Sequence, residues 1–332
     1  MTDSLAAPRR SPLATAAIAG GVSALLYLSI VLSFAFLLPL QIMLGRSGRR
    51  MGMLAAAVAM LTVAAVQLVR LAGEAALGVS AVIAVLLPPL VLVSALMLLN
   101  APFWERGMGP YRAFIVAGIV SLIAAPGFAS LMHDKAIMGY FEERIASFIA
   151  PLKAESTTSG YDASALAASL DPKLLAESAL HILSSCYATL ILLMLGGSRW
   201  LGNRISGRAA EGRKASPPLA EYRLPYVFLW PFLIAWAGVA ASILLKAADL
   251  YQAVAWNLAL LLSMGYAAQG LGIASHIFTR WHMPRTLRFA ILLAVIITIA
   301  TPTVGVIIAI LIPLLGVTEV WIPYRNPKGV GA

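Results

Sequence analysis

The chain has 332 residues, of which 61% are hydrophobic and only 11% are charged. Soluble domains are about 45–50% apolar and about 25% charged, so the composition excludes an ordinary soluble domain, and the lack of alternating ten-residue segments argues against a membrane β-barrel. The net charge of +10 comes from bases scattered over short loops without interleaved aromatic residues, so we predict contact with a lipid bilayer and no nucleic-acid partner.

The membrane segments begin after a polar leader at residues 1–13. The first apolar run covers residues 14–44, and a straight helix of that length would be about 46 Å long. Because the bilayer core is only about 30 Å thick, we expect either a strong tilt or two short segments that meet near residues 29–33. A basic stretch at residues 46–50 ends the run.

Three small residues, Ala16, Gly20 and Ala24, recur at every fourth position in the first half of this run. Such a ladder lets a second helix approach closely, because no large side chain separates the two backbones. The second helix can belong to this chain, which is the simpler interpretation, or to another membrane subunit.

Three further spans complete the N-terminal membrane helices of residues 14–132, and they are predicted at 51–71, 77–99 and 113–132. Pro88 and Pro89 should kink the second of them, since each proline removes a helical hydrogen bond. The loop that follows it has the Trp, Pro and Arg residues typical of an interfacial connection.

Residues 133–177 form the longest polar part of the chain. Apolar residues recur there at helical spacing from Ile137 to Leu152, with three charged residues between them. This pattern predicts amphipathic helices on the membrane surface or over the end of a bundle. Asp162 and Asp171 are expected to cap helix N-termini, and the second should start the helix that leads into the next span.

The C-terminal membrane helices occupy residues 178–316, with a basic loop at 198–225 and a tail at 317–332. Their spans are predicted at 179–197, 226–247, 251–277 and 287–316. A Thr-Pro-Thr sequence interrupts the last of them, so that it crosses once or turns back. The fold class predicted is all-α, a polytopic transmembrane helix bundle with about 7–9 membrane segments and an amphipathic insertion.

The distribution of charge predicts the orientation of the chain. Sixteen of the 24 Lys and Arg residues lie at 1–13, 45–50, 100–112, 198–225 and 278–288. The positive-inside rule places these segments in the cytoplasm and residues 133–177 outside it. We therefore predict a multi-pass membrane protein, whose first apolar run must cross twice or turn back.

The predicted span at 251–277 carries an unusual set of polar residues. At about 100° per residue, Asn257, Gln269 and His276 fall on one side of the helix, together with small residues. Lipid cannot form hydrogen bonds, so this side should face protein or a cavity. The simpler interpretation is bonding between helices, and the functional one is a pocket, built with Asn100, that binds a small polar molecule.

The sequence contains no signature of catalysis. The HExxH, GxSxG and phosphate-loop motifs are absent, and the four histidines are dispersed, so we predict neither an enzyme nor a metal or cofactor site. No Asp or Glu lies well inside a predicted span, which argues against a proton-coupled transporter.

Several segments together resemble the YybS-like bacterial membrane proteins, known as domain of unknown function 2232. They include LLPLQIMLGRSGRR, MGYFEERIASFIAPLK, EYRLP at 221–225, Asn257, the Gln269-Gly270 pair and LLGVTEVWIPYRNP. The resemblance covers nearly the whole chain and implies a polytopic inner-membrane protein of uncharacterised function. It also implies a distant similarity to the rod-shape protein MreD and to the substrate-binding subunits of energy-coupling-factor vitamin transporters. Those subunits dock a partner through a ladder of small residues in the first helix, and the matching positions in this chain are Ala16, Gly20 and Ala24.

Two hypotheses of function follow. The first is a non-enzymatic transport or substrate-capture component, suggested by the polar side of 251–277 and the small-residue ladder. The second is a structural or assembly protein that anchors protein partners through its cytoplasmic loop and its outer helices.

Overall fold

The computed structural model describes residues 11–29, 32–72, 79–102, 111–132, 135–158, 171–206, 219–299 and 301–325. Within these ranges the chain is all-α and contains no β-strand. Its ten helices are α1 (Pro12–Leu28), α2 (Leu37–Ala72), α3 (Val79–Leu99), α4 (Arg112–Met132), α5 (Lys135–Thr158), α6 (Pro172–Ile205), α7 (Leu229–Leu244), α8 (Asp249–Arg280), α9 (Arg285–Ile299) and α10 (Pro302–Thr318). They form two compact units, Met1–Arg213 and Lys214–Ala332.

Several of these helices have the length and composition of membrane spans. Four apolar segments among the described residues are long enough to cross a bilayer: Ser33–Ala72, Pro172–Ile205, Tyr226–Leu244 and Asp249–Arg280. Five shorter apolar helices accompany them. The predicted fold class, a polytopic helical bundle, is confirmed, whereas the number of crossings stays a prediction.

The first apolar run forms two segments and not one strongly tilted helix. Helix α1 ends at Leu28, and α2 begins at Leu37 after a short 3₁₀ turn. The Ser23 hydroxyl donates a hydrogen bond of 2.5 Å to the carbonyl of Phe36, whose ring meets that of Tyr27 edge to face at 5.0 Å. These contacts hold the end of α1 against the start of α2.

A sharp bend at Gly48 divides α2 into two arms, residues 37–47 and 49–72. Gly48 has φ 80° and ψ 179°, a conformation essentially restricted to glycine. A straight helix would separate residues 44 and 52 by about 12 Å. Here a Cβ on Gly52 would lie 3.3 Å from the Cα of Leu44, so the two arms meet side by side at the bend.

The small-residue ladder packs α1 onto the second arm of α2. Ala16, Gly20 and Ala24 are completely or almost completely buried. A Cβ added to Gly20 would lie 2.5 Å from the carbonyl oxygen of Ala55 and 2.8 Å from Cβ of Val58. In this structure the ladder therefore joins two helices of the same chain.

Helix α6 is the central helix of the first unit and packs against α2, α3, α4 and α5. It starts as predicted, because the Asp171 side chain accepts a 3.0 Å hydrogen bond from the Lys173 amide. It continues to Ile205, so the first eight residues of the predicted loop at 198–225 are helical. Asp162, the other predicted cap, lies outside the described residues.

Helix α5 is the amphipathic helix predicted within residues 133–177, and it packs on α6. Ile149 on one side is buried, whereas Phe148 beside it is 58% exposed.

In the second unit, α8 lies between α7 and α10. The indole of Trp236 on α7 donates a 3.2 Å hydrogen bond to the Ser263 hydroxyl on α8. Helices α8 and α10 cross at Gly270 and Gly316, where any Cβ would collide with the backbone of the other helix. The predicted interruption near residue 301 is confirmed, because α9 ends at Ile299 and α10 begins at Pro302.

Two adjacent glycines test the α1–α2 packing. We expect Gly20→Ala to lower the free energy of unfolding by about 1–3 kcal/mol, as overpacking typically does. Gly21→Ala is the matched control, because a Cβ there meets nothing within 4 Å and alanine favours the helix by up to about 1 kcal/mol. Thermal unfolding in detergent measures both, and equal melting temperatures would contradict this packing.

Candidate functional site

The polar residues of α8 that were predicted for a pocket lie at different levels along the helix. Asn257 and Gln269 on α8 are only 6% and 4% exposed, but twelve residues, or about 18 Å, separate them along the helix. The Asn257 amide donates to the carbonyl of Ala253 at 2.8 Å, and His276 is partly exposed. Asn100 belongs to the first unit and is described with its own partners below.

Gln269 lies at the centre of a polar cluster, which we call the Glu319 cluster and define as Gln269, Glu319, Arg325 and the backbone of residues 220–224. The Gln269 amide nitrogen donates to the carbonyl of Gly316 at 3.1 Å and to the Glu319 carboxylate at 2.9 Å. Its carbonyl oxygen accepts a 2.8 Å bond from the backbone amide of Leu224. One side chain thus links α8, the end of α10 and the segment before α7.

Arg325 supplies the positive charge of the cluster and is only 6% exposed. One guanidinium nitrogen donates to the carbonyls of Ala220 and Tyr222 at 2.7 and 2.8 Å. The other donates to the backbone carbonyl of Gln269 at 3.1 Å and pairs with the Glu319 carboxylate at 2.8 Å. Charge pairing with several hydrogen bonds is what a buried arginine needs.

Small residues on α8 and α10 make room for this cluster. A Cβ on Gly272 would collide with the carbonyl oxygen of Leu219 and lie 3.4 Å from the Arg325 guanidinium. Gly316, whose carbonyl accepts from Gln269, lies against the backbone of Tyr266. Larger side chains at these positions would push the bonded segments apart.

The electrostatics of the cluster are those of a desolvated ion pair. Burial lowers the pKa of the Arg325 guanidinium, and the negative charge of Glu319 acts in the opposite direction. The second oxygen of Glu319 lies 3.9 Å from Nε of Arg223, whose side chain is half exposed. That oxygen and the buried Tyr266 hydroxyl have no hydrogen-bond partner among the described residues.

A second polar cluster, in the first unit, joins α2, α3 and α6, and we call it the amide cluster. It consists of Gln41, Asn100, Asn203 and Arg199. Gln41 donates to the side-chain oxygens of Asn203 at 3.0 Å and Asn100 at 3.3 Å. Asn100 donates in return to Gln41 at 2.8 Å and to the carbonyl of Leu96 at 2.9 Å.

Arg199 completes the amide cluster by donating to the Asn100 side-chain oxygen at 3.2 Å. Gln41 is 1% exposed, and Gly202 leaves the space for it, since a Cβ there would lie 2.6 Å from Cγ of Gln41. All four hydrogen-bonding positions of the Asn100 amide are used, two as donor and two as acceptor.

Most residues of the two clusters are not predicted from the sequence. Glu319 and Arg325 follow the last apolar run and were therefore placed in the tail, and Gln41 and Asn203 were not predicted as site residues. The one signal in the sequence for the amide cluster is Gln41, because a glutamine within an apolar run must find a hydrogen-bond partner in the protein. Among the described residues no group of three His, Cys, Asp or Glu is placed to hold a metal ion.

Comparison with known proteins identifies the family. A family model described as "Predicted membrane protein (DUF2232)" matches residues 15–318. The chain belongs to this family. Neither the curated proteins nor the solved structures yield a match.

Three of the segments that carry the resemblance come together in the Glu319 cluster. The EYRLP segment contributes backbone groups of Tyr222 and Leu224. The Gln269-Gly270 pair contributes the central amide and the helix crossing. The closing segment contributes Glu319 and Arg325. Residues far apart in the sequence therefore share one site in the second unit.

The Glu319–Arg325 ion pair can be tested by removing the charge of one of its two residues. Glu319→Gln keeps the shape of the side chain but leaves the buried Arg325 charge unpaired, so we expect the free energy of unfolding to fall by about 3–5 kcal/mol. Arg223→Gln is the control, because a half-exposed pair at 3.9 Å should contribute at most about 1 kcal/mol. Chemical unfolding in detergent measures both, and equal losses would contradict the assigned geometry.

Proposed function

We propose that the protein is a non-enzymatic, structural membrane protein of the bacterial inner membrane that anchors a protein partner. The observation that carries this proposal is the internal bonding of the candidate ligand-binding amides. Asn100 and Gln269 bond to groups of the same chain, so these amides hold helices together and are not free to bind a ligand. The absence of catalytic motifs in the sequence supports a non-enzymatic role.

The charges of the first unit support a defined orientation. Lys173 is the one Lys or Arg in the first turns of α6, whereas two arginines, Arg199 and Arg204, lie in its last two turns. By the positive-inside rule the C-terminal end of α6 faces the cytoplasm. Helix α5, which precedes the N-terminal end of α6 in the chain and packs on α6, then lies toward the outside.

Helix α5 offers the surface for the partner. It packs on α6, and its Phe148 side chain is 58% exposed. A polar helix with an exposed aromatic residue is suited to a protein contact outside the hydrocarbon core.

A substrate-capture role is the second candidate, and one observation favours it. The Tyr266 hydroxyl is buried without a hydrogen-bond partner among the described residues, and so is one oxygen of Glu319. Buried polar atoms without a hydrogen bond are costly, and a small polar ligand could supply the missing bonds.

Ligand binding separates the two candidates. We expect the purified protein to show no thermal stabilisation by a panel of small polar metabolites, because its amides are already bonded. A captured ligand at 100 times its dissociation constant would stabilise the protein by about 2.7 kcal/mol. Stabilisation that Tyr266→Phe abolishes would overturn the structural role and favour capture.

Site-specific photo-cross-linking in cells tests the partner surface. A photoreactive residue at position 148 should give a discrete protein adduct. The control position is 122, where Leu122 is 77% exposed on the apolar helix α4 and should react only with lipid. The same pattern of products at both positions would contradict anchoring through α5.

A further inference from the structure

We infer that the bend in α2 and the end of α6 form a binding site for the phosphate group of an anionic phospholipid. The site, which we call the bend site, consists of Arg46, Arg49, Arg50 and Arg204, with Trp200 beside them. All of its residues belong to the first unit.

Direct contacts bring the two parts of the bend site together. The Arg46 guanidinium donates a 3.2 Å hydrogen bond to the carbonyl of Ile205, at the C-terminus of α6. A Cβ on Gly45 would lie 2.6 Å from the Ser206 hydroxyl oxygen, so the backbones are close. An arginine at a helix C-terminus also interacts favourably with the partial negative charge of the last carbonyls.

The bend sets the position of the other two arginines. Because Gly48 adopts a conformation that only glycine tolerates, the helix breaks between Arg46 and the Arg49-Arg50 pair. Both Arg49 and Arg50 are exposed. Neither side chain makes a hydrogen bond or ion pair with the described part of the chain, so no described residue competes with an anion for these guanidinium groups.

The positive charge of the bend site has no acidic neighbour on the helices that form it. Helix α2 contains no Asp or Glu, and the only acidic residue of α6, Glu177, lies 28 residues before Ile205, which is about 42 Å along the helix. The site therefore attracts anions strongly. Guanidinium groups bind phosphate oxygens in a bidentate manner.

The surroundings identify the anion as a lipid headgroup. Helix α6 ends where the apolar segment Pro172–Ile205 ends, and that segment is long enough to cross a bilayer. Because Arg46 contacts Ile205, the bend lies at the same level as this helix end, which is the level of the headgroups. Trp200 is 62% exposed, and its ring lies 5.6 Å from the Arg204 guanidinium. Tryptophan next to arginine is typical of the membrane interface.

Lipid retention tests the bend site. The full-length protein is extracted from vesicles made of equal parts of phosphatidylglycerol and phosphatidylcholine, and the retained lipids are counted by native mass spectrometry. We expect the wild-type protein to prefer phosphatidylglycerol. The double variant Arg49→Gln, Arg50→Gln should lose about 30-fold of that preference, because each basic residue near an anionic surface contributes roughly five-fold.

Arg70→Gln is the matched control, since Arg70 is an exposed arginine in the last turn of the same helix and the charge change per residue is identical. The Arg70→Gln variant should keep the wild-type preference for phosphatidylglycerol over phosphatidylcholine. If the double variant does not fold, as judged by its melting temperature in phosphatidylcholine, Arg50→Gln alone should lose about five-fold.

Three results would overturn the inference. They are equal retention of both lipids by the wild-type protein, an equal loss per arginine in Arg70→Gln, and displacement of the lipid by inorganic phosphate at low concentration. The last would assign the bend site to a soluble anion.

Discussion

The constraint on which this structure depends is that hydrocarbon offers no hydrogen bonds to a polar group. Each amide or charge that lies within the apolar helices must therefore find a partner in the protein, or lose several kcal/mol. The chain meets this requirement with two clusters. In the first unit Gln41 and Asn100 bond to each other and to α6. In the second unit Gln269 and Arg325 bond to Glu319 and to backbone carbonyls.

Glycine and alanine make these bonds possible, because the bonds require helices that are very close together. Gly202 leaves space for Gln41, and Gly272 leaves space for the segment that Arg325 holds. Where Gly270 meets Gly316, the backbones of α8 and α10 are in contact. Apolar packing gives little net attraction between helices in lipid, so close approach and polar bonds supply most of it.

Much of the fold could be predicted from the sequence, since long apolar runs and their interruptions are local signals. The break after Leu28, the helix start at Asp171 and the interruption near residue 301 all follow from local composition. The bend at Gly48 could not be predicted, because its neighbours in sequence are those of an ordinary basic loop end. The Glu319 cluster was harder to predict than the fold. Gln269 was identified as a buried polar residue, but its partners Leu224 and Glu319 are 45 and 50 residues away in the sequence. Local sequence patterns do not show which distant residues come into contact.

The central claim is that the amides of the two clusters bond to groups of the same chain, so that none of these amides is left for a ligand. A double-mutant cycle between Gln269→Ala and Glu319→Ala tests it most directly, with the free energy of unfolding measured in detergent or lipid. We predict a coupling energy of at least about 1 kcal/mol, because the bond joins an amide to a buried carboxylate. Additive effects, within about 0.5 kcal/mol, would contradict the account.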